Sequence, residues 1–450
     1  MKSYNHLWEK YLTVENYQEA VKNATRHKGG KKKKNKRARY YRAHMDEKQA
    51  ELMAYAEHFR SEKHKPVLIY DGIRRKQRYI VVPSMREQIV HHMVINVLKP
   101  IMMRGMYEHS FGSVPGRGAH LGKKQIEKWI RTGGRDVKYC LKMDIRKYFD
   151  SVPHALLKAR MAAVIHDERF LQVLWEIVDA APGDRGMPIG FYTSQWFANW
   201  YLTGLDHWIK EEMRAKYYAR YMDDMIIFGG NKRELHRMRA AIAEYLQMRL
   251  GLEMKGNWQV FRFDYIRKDG THGGRDLDFM GFRFFRGRTI LRKTLMIRMT
   301  RKARRISRKR TKTVYDCRQM LSYLGWIDCT DVYAMYRKRI KPHVNFQQMK
   351  RRESAYTRAQ NRREKKHEHM VQMRERGQRA AGGPGHHQQQ KVELCPERLP
   401  EDRGPGEGRA DLSGTLGMDG DESGEGDLGD VPAGRNQRRE HRLPGHDGGH

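Results

Sequence analysis

The apolar and polar positions change period several times along the chain. The first 60 residues read as helical and polar, interrupted by the run Lys28-Gly29-Gly30-Lys31-Lys32-Lys33-Lys34-Asn35-Lys36-Arg37. Such a run is a solvated loop that can engage phosphates by releasing counterions. Pro66–Tyr70 and Arg78–Pro83 alternate as two strands joined by a basic turn, Asp71 to Gln77. From Ser84 the period becomes helical: Ile89, Val90, Met93, Val94, Val97, Leu98 and Ile101 share a face, and Ser84 is placed to cap with Glu87. Gly112 to Gly118 punctuates a loop, helix 121–131 follows, and Val137–Met143 reads as a strand ending on Asp144. Helical patterns cover about 153–180, and a long helix reaches about 216 after the loop at 181–190. An acidic hairpin, a helix at about 232–250 and an apolar strand, Leu277–Phe285, come next. Strands that alternate with helices and meet at carboxylates predict an α+β sheet domain.

Composition narrows the partners. The 450 residues carry 90 Lys plus Arg against 53 Asp plus Glu, a formal charge of +37. That excess suits a polyanion, either nucleic acid or an anionic membrane surface. No apolar run approaches the roughly 20 residues of a membrane span. The first residues, Met1 to His6, lack the apolar core of a secretory signal. Nucleic acid in the cytoplasm, with no membrane partner, is therefore the expectation. Cys140, Cys317, Cys329 and Cys395 are scattered without a C-x-x-C pair, so neither a disulfide framework nor a structural zinc site is suggested. Beyond Tyr356 no aromatic remains, and the stretch 357–450 is expected to be disordered and of low complexity.

The chemistry gathers at Tyr221-Met222-Asp223-Asp224, which has apolar, β-prone flanks and Gly229-Gly230 behind it. Adjacent like charges in a buried hairpin are costly unless a cation neutralises them. An ordinary polar turn is the bland alternative. Asp144 stands where an α/β scaffold can present a metal ligand, at a strand end before a turn into a helix. Were it to face Asp223 and Asp224, three carboxylates would bind two divalent cations about 4 Å apart and support in-line phosphoryl transfer. Mg²⁺ suits oxygen ligands shared with substrate phosphates, and Mn²⁺ could replace it.

Over residues 70–330 the chain resembles the reverse transcriptases, specifically those of bacterial retroelements. Tyr221 to Asp224 resembles the family's Y-x-D-D box, and Asp144 to Phe149 the box with the first metal-binding Asp. The resemblance implies that Asp144, Asp223 and Asp224 are catalytic metal ligands. It implies that Phe149 blocks a ribose 2′-hydroxyl, which favours deoxynucleotides; by itself Phe149 reads equally as core packing. Lys76, Arg78 and Arg86 match the positions that grip the incoming triphosphate, a task suited to mobile cations. Each alone is equally a solvated turn residue. Phe111 to His120 resembles the loop S-F-x-x-x-P-G-R-G-x-H, and Lys255 the lysine that can protonate pyrophosphate. Phe279, Met280 and Gly281 resemble the primer-grip hairpin. Basic helices past 290 would be a thumb holding template–primer by its backbone, with little sequence preference.

The resemblance implies a right-hand polymerase fold, with fingers and palm built on an antiparallel sheet and a helical thumb. It divides the chain into a basic helical extension (1–60), fingers and palm (61–290), the thumb (291–356) and the tail (357–450). The implied partners are an RNA template, a DNA or RNA primer and deoxynucleoside triphosphates, with an accessory RNA-binding protein or noncoding RNA as further candidates. One box departs: where retroviral and group II intron enzymes read Q-G-x-x-x-S-P, this chain reads Ile189-Gly190-Phe191-Tyr192-Thr193-Ser194-Gln195. That form resembles diversity-generating retroelement enzymes and related unclassified bacterial groups. The resemblance implies that Ile189, Gly190 and Gln195 bind the nucleotide; Ile189 cannot hydrogen-bond it, so an error-prone polymerase is expected. Two alternatives compete: a non-catalytic, maturase-like RNA-binding protein derived from such an enzyme, and an RNA-dependent RNA polymerase. Three retained acids oppose the first, and an aromatic at Phe149 opposes the second.

Overall fold

Residues 3–26, 36–71, 73 and 75–381 are described by the structure, a computed structural model. Helices Leu7–Tyr11, Val14–Ala24, Lys36–Ala43 and Gln49–Glu57 make up the N-terminal part. Their buried faces, Tyr11, Tyr17 and Leu52 among them, share a core with Met93 and Val94 of the long helix Met85–Gly105. Most of the basic run lies outside the described residues; Lys36 and Arg37 open the third helix.

Strands β1 (Val67–Asp71) and β2 (Lys76–Ile80) pair antiparallel, as the alternation predicts. A two-stranded hairpin is marginal by itself in water, and this one is anchored just past its end, where Val81 N donates to Ile189 O at 2.8 Å. Ser84 caps the long helix by accepting from Glu87 N. The Glu87 carboxylate does not return to Ser84. It is fully buried and accepts instead from Ser61 Oγ and His64 Nε2, at 2.8 and 3.0 Å.

The central sheet has strand order β4-β5-β3-β6, with β3 spanning Tyr139–Asp144, β4 Tyr217–Tyr221, β5 Asp224–Gly229 and β6 Gln259–Arg262. All its pairings are antiparallel. Alternation sorts its side chains. Leu141, Met143, Met225 and Ile227 face one core, built with helices such as Tyr192–Tyr201 and Lys232–Leu250. Cys140, Ala219, Ile226 and Phe228 face a second core, built with helix Ala119–Thr132 and the C-terminal elements. A sheet covered on both faces needs apolar residues at both parities, and the run Met225-Ile226-Ile227-Phe228 supplies them.

Two expected elements divide. The helix placed up to about 216 breaks at Leu202 into Tyr192–Tyr201 and Thr203–Glu211. There Thr203 Oγ1 bonds back to Trp200 O at 2.8 Å, a local bond that competes with the helical ladder. The apolar run 277–285 is two strands, not one. After the small hairpin of β7 (Tyr265–Ile266) and β8 (His272–Gly273), β9 (Leu277–Phe279) turns at Met280-Gly281 into β10 (Phe282–Phe285), which pairs in turn with β11 (Arg288–Leu291). Met280 and Gly281 both adopt positive φ, 53° and 85°, so the chain reverses there.

Helices Lys293–Ser307, Val314–Asp328, Tyr333–Arg339 and Phe346–Ala381 follow. The last runs well past position 357, where the composition placed the start of disorder. Long-chain helix formers and the absence of Pro sustain it without aromatics. Arg318 fastens its start, 3.1 Å from Glu353 and over the Tyr356 ring. Residues 382–450, the rest of the expected tail, lie outside the described residues. Among the described residues no helix is long and apolar enough to cross a membrane.

Candidate active site

Charged side chains take over one sheet face toward its end. In β3 and β5 the partners on that face run Cys140↔Phe228, Lys142↔Ile226 and Asp144↔Asp224. The first pair belongs to the second core, and the last places two carboxylates directly opposite each other. Asp223 occupies the turn between β4 and β5, beside Met222 with φ 56°. The structure therefore brings together the three acids that the sequence suggested. Burial, together with the Asp144 charge, pushes the Asp223 carboxyl up to about 8. Burial likewise pushes Asp224 up to about 7; Lys142 opposes that rise and Asp144 adds to it.

Two cations flank the acids. Lys255 Nζ stands 3.7 Å from Asp144 Oδ2, and its backbone N–H donates to Asp144 O at 2.8 Å. Lys142 Nζ stands 3.8 Å from Asp224 Oδ2 and donates to Asp278 O at 2.8 Å. The second oxygens, Asp144 Oδ1 and Asp224 Oδ1, are buried with no hydrogen-bond partner. Orphaned carboxylate oxygens on neighbouring strands are a costly arrangement that a divalent cation relieves. Among the described residues no three His, Cys, Asp or Glu side chains form a ready-made ligand set. Mg²⁺ keeps water and substrate phosphates as ligands rather than an all-protein cage. The residues present fit such an ion.

The turn is held from behind by a buried ion pair. Arg220 and Asp206 are both fully buried, with Nη2 and Oδ2 2.6 Å apart. Arg220 also donates to Asn199 Oδ1 at 3.1 Å and to Met222 O at 3.0 Å. Burial opposes the guanidinium charge and Asp206 outweighs it, so Arg220 is held even more firmly protonated than usual. An Arg inside an apolar strand signals that a partner carboxylate must exist. Which one it is depends on the fold.

The remaining candidates sit around this centre. Phe149 is half-buried, lies edge-on to Tyr148, and its carbonyl accepts from Met187 N at 2.7 Å. Ile189 is half-buried, and Gly190 has φ +122° with the Val81 carbonyl so close that a Cβ would lie 2.0 Å from its oxygen. Gln195 is half-buried in the helix that follows. Lys76 and Arg78 stand on β2, exposed and half-exposed. Arg86 is engaged by the protein itself, 2.6 Å from Glu62 Oε1 and over the Tyr55 ring. At the turn of β9 and β10, Phe279 and Met280 are buried, Met280 against Gly122, and Gly281 lies under Trp326. Backbone rather than side chains is what this turn presents. Lys142 was not foreseen, although it stands two residues before Asp144 and so shares its strand face.

Comparison with known proteins adds the following. Residues 62–261, under half of the chain, match the family described as reverse transcriptase (RNA-dependent DNA polymerase). This central stretch is similar to that family. Protein YkfC of Escherichia coli is 28% identical over 148 residues, 30% of this chain and 38% of that protein. An uncharacterized 91 kDa protein in the cob intron of Schizosaccharomyces pombe is 28% identical over 158 residues, 33% of this chain and 19% of that one. The chain thus spans well under half the length of these curated relatives. Among solved structures, telomerase from Candida albicans superposes with a TM-score of 0.38 at 13% identity, covering 62% of this chain and 56% of that one. Apo telomerase from Candida tropicalis gives 0.39 at 14% identity, with 57% and 51% covered. Both superpositions are loose.

Proposed function

We propose that this chain is an RNA-directed DNA polymerase that adds deoxynucleotides to a primer 3′-hydroxyl on an RNA template. The observation that carries the reading is the register of β3 and β5, which sets Asp144 opposite Asp224 beside Asp223, with unpaired carboxylate oxygens in a strongly basic chain. Asp144, Asp223 and Asp224 would hold two Mg²⁺ ions, which when bound make a hydroxyl more nucleophilic and neutralise charge on a triphosphate.

The chain's own residues do the rest. Lys255, already beside Asp144, is placed to put positive charge, and in turn a proton, toward a pyrophosphate leaving group. Lys76 and Arg78 offer cations to the triphosphate from β2, whose end is fastened to Ile189. Phe149 would crowd a ribose 2′-hydroxyl. Ile189 offers no side-chain hydrogen bond to a nascent base pair, so discrimination there rests on shape alone and the enzyme is error-prone. The basic helix Lys293–Ser307 would hold the duplex by its phosphates. The Ile189-Gly190 box supports a bacterial retroelement enzyme of the diversity-generating or an unclassified group.

Primer extension on poly(rA)/oligo(dT) with Mg²⁺ tests the reading. Wild type incorporates dTTP in preference to UTP, and Asp223→Ala with Asp224→Ala abolishes incorporation. RNA binding without incorporation would instead establish the non-catalytic, maturase-like protein, and preference for UTP an RNA polymerase.

A further inference from the structure

Lys142 has two partners from two different elements. Its ammonium donates to the main-chain oxygen of Asp278 on β9 at 2.8 Å and stands 3.8 Å from Asp224 Oδ2 on β5. The Asp278 end of this bridge is rigid. Arg292 Nε donates to Asp278 Oδ1 at 2.7 Å, and Arg292 N donates to Gly281 O at 2.9 Å. The turn Met280-Gly281 is therefore closed against Arg292 on one side. On the others, Met280 wedges against Gly122 and Trp326 covers Gly281. The other end is rigid too, because Asp224 is paired in register with both Asp144 and Tyr221. Lys142 itself has a side chain only 19% exposed, so its four-carbon stem is confined.

We infer that Lys142 is a positioning residue that fixes the distance between the carboxylate pair and the β9–β10 turn, so that a primer terminus resting on that turn meets the acids in reach of them. The inference rests on the polymerase reading for the identity of the strand end, but the tether itself does not need chemistry to be observed. No neutral side chain would do the same work. The 2.8 Å bond needs a donor, and the 3.8 Å approach to Asp224 exceeds hydrogen-bond range and acts through charge. Lys142→Gln keeps a donor without the charge, Lys142→Met keeps the stem alone, and Lys142→Arg keeps donor and charge.

The test uses the full chain and a primer–template with 2-aminopurine as the primer's 3′-terminal base, in Ca²⁺ buffer so that no turnover occurs. Wild type should quench or enhance the terminal base relative to free duplex. Lys142→Met should return the signal to the free-duplex value while duplex affinity by anisotropy changes less than about two-fold, because phosphate contacts elsewhere carry affinity. In Mg²⁺ the same variant should lose about ten-fold in kcat, the equivalent of one lost charge-assisted contact, with the KM for dTTP little changed. Lys142→Arg should recover the terminal-base signal, and Lys142→Gln neither readout. A wild-type signal in Lys142→Met overturns the tether. So does a loss of duplex affinity that tracks a lowered melting temperature, since that reports general collapse. If wild type shows the terminal-base signal yet never extends a primer, the polymerase reading fails and the tether stands.

Discussion

Replacing Asp206 by Asn should destabilise the protein more than any surface change could, because it strands the Arg220 guanidinium in a dry interior. Both side chains are fully buried, and Asp206 receives Arg220 Nε at 2.8 Å, Arg220 Nη2 at 2.6 Å and the Tyr218 hydroxyl at 2.7 Å. Removing one partner of a buried ion pair costs about 3–5 kcal/mol, since the remaining charge keeps its desolvation penalty without its counter-charge. The amide can still accept from Tyr218, so the charge rather than the hydrogen-bond count decides the outcome. Removing both charges, Arg220→Met with Asp206→Leu, should cost less than the sum of the single changes, with a coupling of about 2 kcal/mol or more.

Urea unfolding followed by tryptophan fluorescence measures Asp206→Asn, the single changes Arg220→Met and Asp206→Leu, and their combination. The double variant carries a second expectation. Arg220 Nη1 holds Met222 O at 3.0 Å, and Met222 sits at φ 56°, a conformation that costs a non-glycine residue about 1–2 kcal/mol. Once released, the turn can relax and carry Asp223 with it, so incorporation should fall even where the protein stays folded. An Asp206→Asn variant within about 1 kcal/mol of wild type would refute the reasoning, because it would mean that water reaches the guanidinium.

Other expectations follow from the same geometry. Asp223 and Asp224 have their carboxyls raised to about 8 and about 7 by burial and by the Asp144 charge. A raised folded-state value stabilises at pH below about 4 and is lost as pH climbs through the folded values. In chelator, the melting temperature should therefore fall between about pH 4 and 8 and level off above, Asp223→Asn should flatten the fall, and Mg²⁺ should stabilise more at pH 8.5 than at 6; a flat profile in chelator contradicts this. Gly190→Ala would drive a Cβ into the Val81 carbonyl and break the Val81–Ile189 link. The KM for dTTP should rise about ten-fold, the scale of one hydrogen bond plus local strain, and an unchanged KM would show that the hairpin needs no such anchor. Ile189→Gln restores a side-chain hydrogen bond and should lower misincorporation, most of all opposite template adenine; an unchanged error spectrum removes Ile189 from fidelity.

Local pattern carried those elements whose cause is local. The β4–β5 hairpin, the Ser84 cap and helix 232–250 are written in alternation, capping residues and period, and they stand where the pattern put them. The break at Leu202 is invisible to pattern, and the reversal at Met280-Gly281 shows only through the resemblance to a primer-grip hairpin, because both regions are apolar throughout. Apolarity shows burial but not direction. The helix continuing to Ala381 was missed for the opposite reason: absence of aromatics argues against a core, and a helix of Arg, Glu, Gln and Met needs none. At the site, the three acids were legible because like charges among β-formers ask for an explanation. Their counterparts were not. Asp206 lies 14 positions from Arg220, and Asp278 lies 136 positions from Lys142; nothing in either neighbourhood names the partner.

Those long-range partners also explain how an unfavourable cluster stays folded. Three carboxylates at one sheet end repel, and two of their oxygens are buried without a donor. Lys142 and Lys255 stand 3.8 and 3.7 Å from the acids, close enough to attract through charge but too far to hydrogen-bond. Each lysine therefore offsets part of the repulsion while leaving Asp144 Oδ1 and Asp224 Oδ1 without a donor. Full neutralisation by Arg at 2.8 Å would have stabilised the fold further and closed the site, as Arg220 does one layer below with Asp206. The contrast separates two uses of the same chemistry. Where the pair is sealed and bidentate, it builds the turn; where cations are held at arm's length, two acid oxygens keep no partner, and under the proposed function a divalent ion would take them. On this argument Lys255→Arg, which could reach a bidentate contact with Asp144, should raise the melting temperature and lower incorporation together. A variant that gains stability with full activity would show that the arm's-length spacing has no functional role.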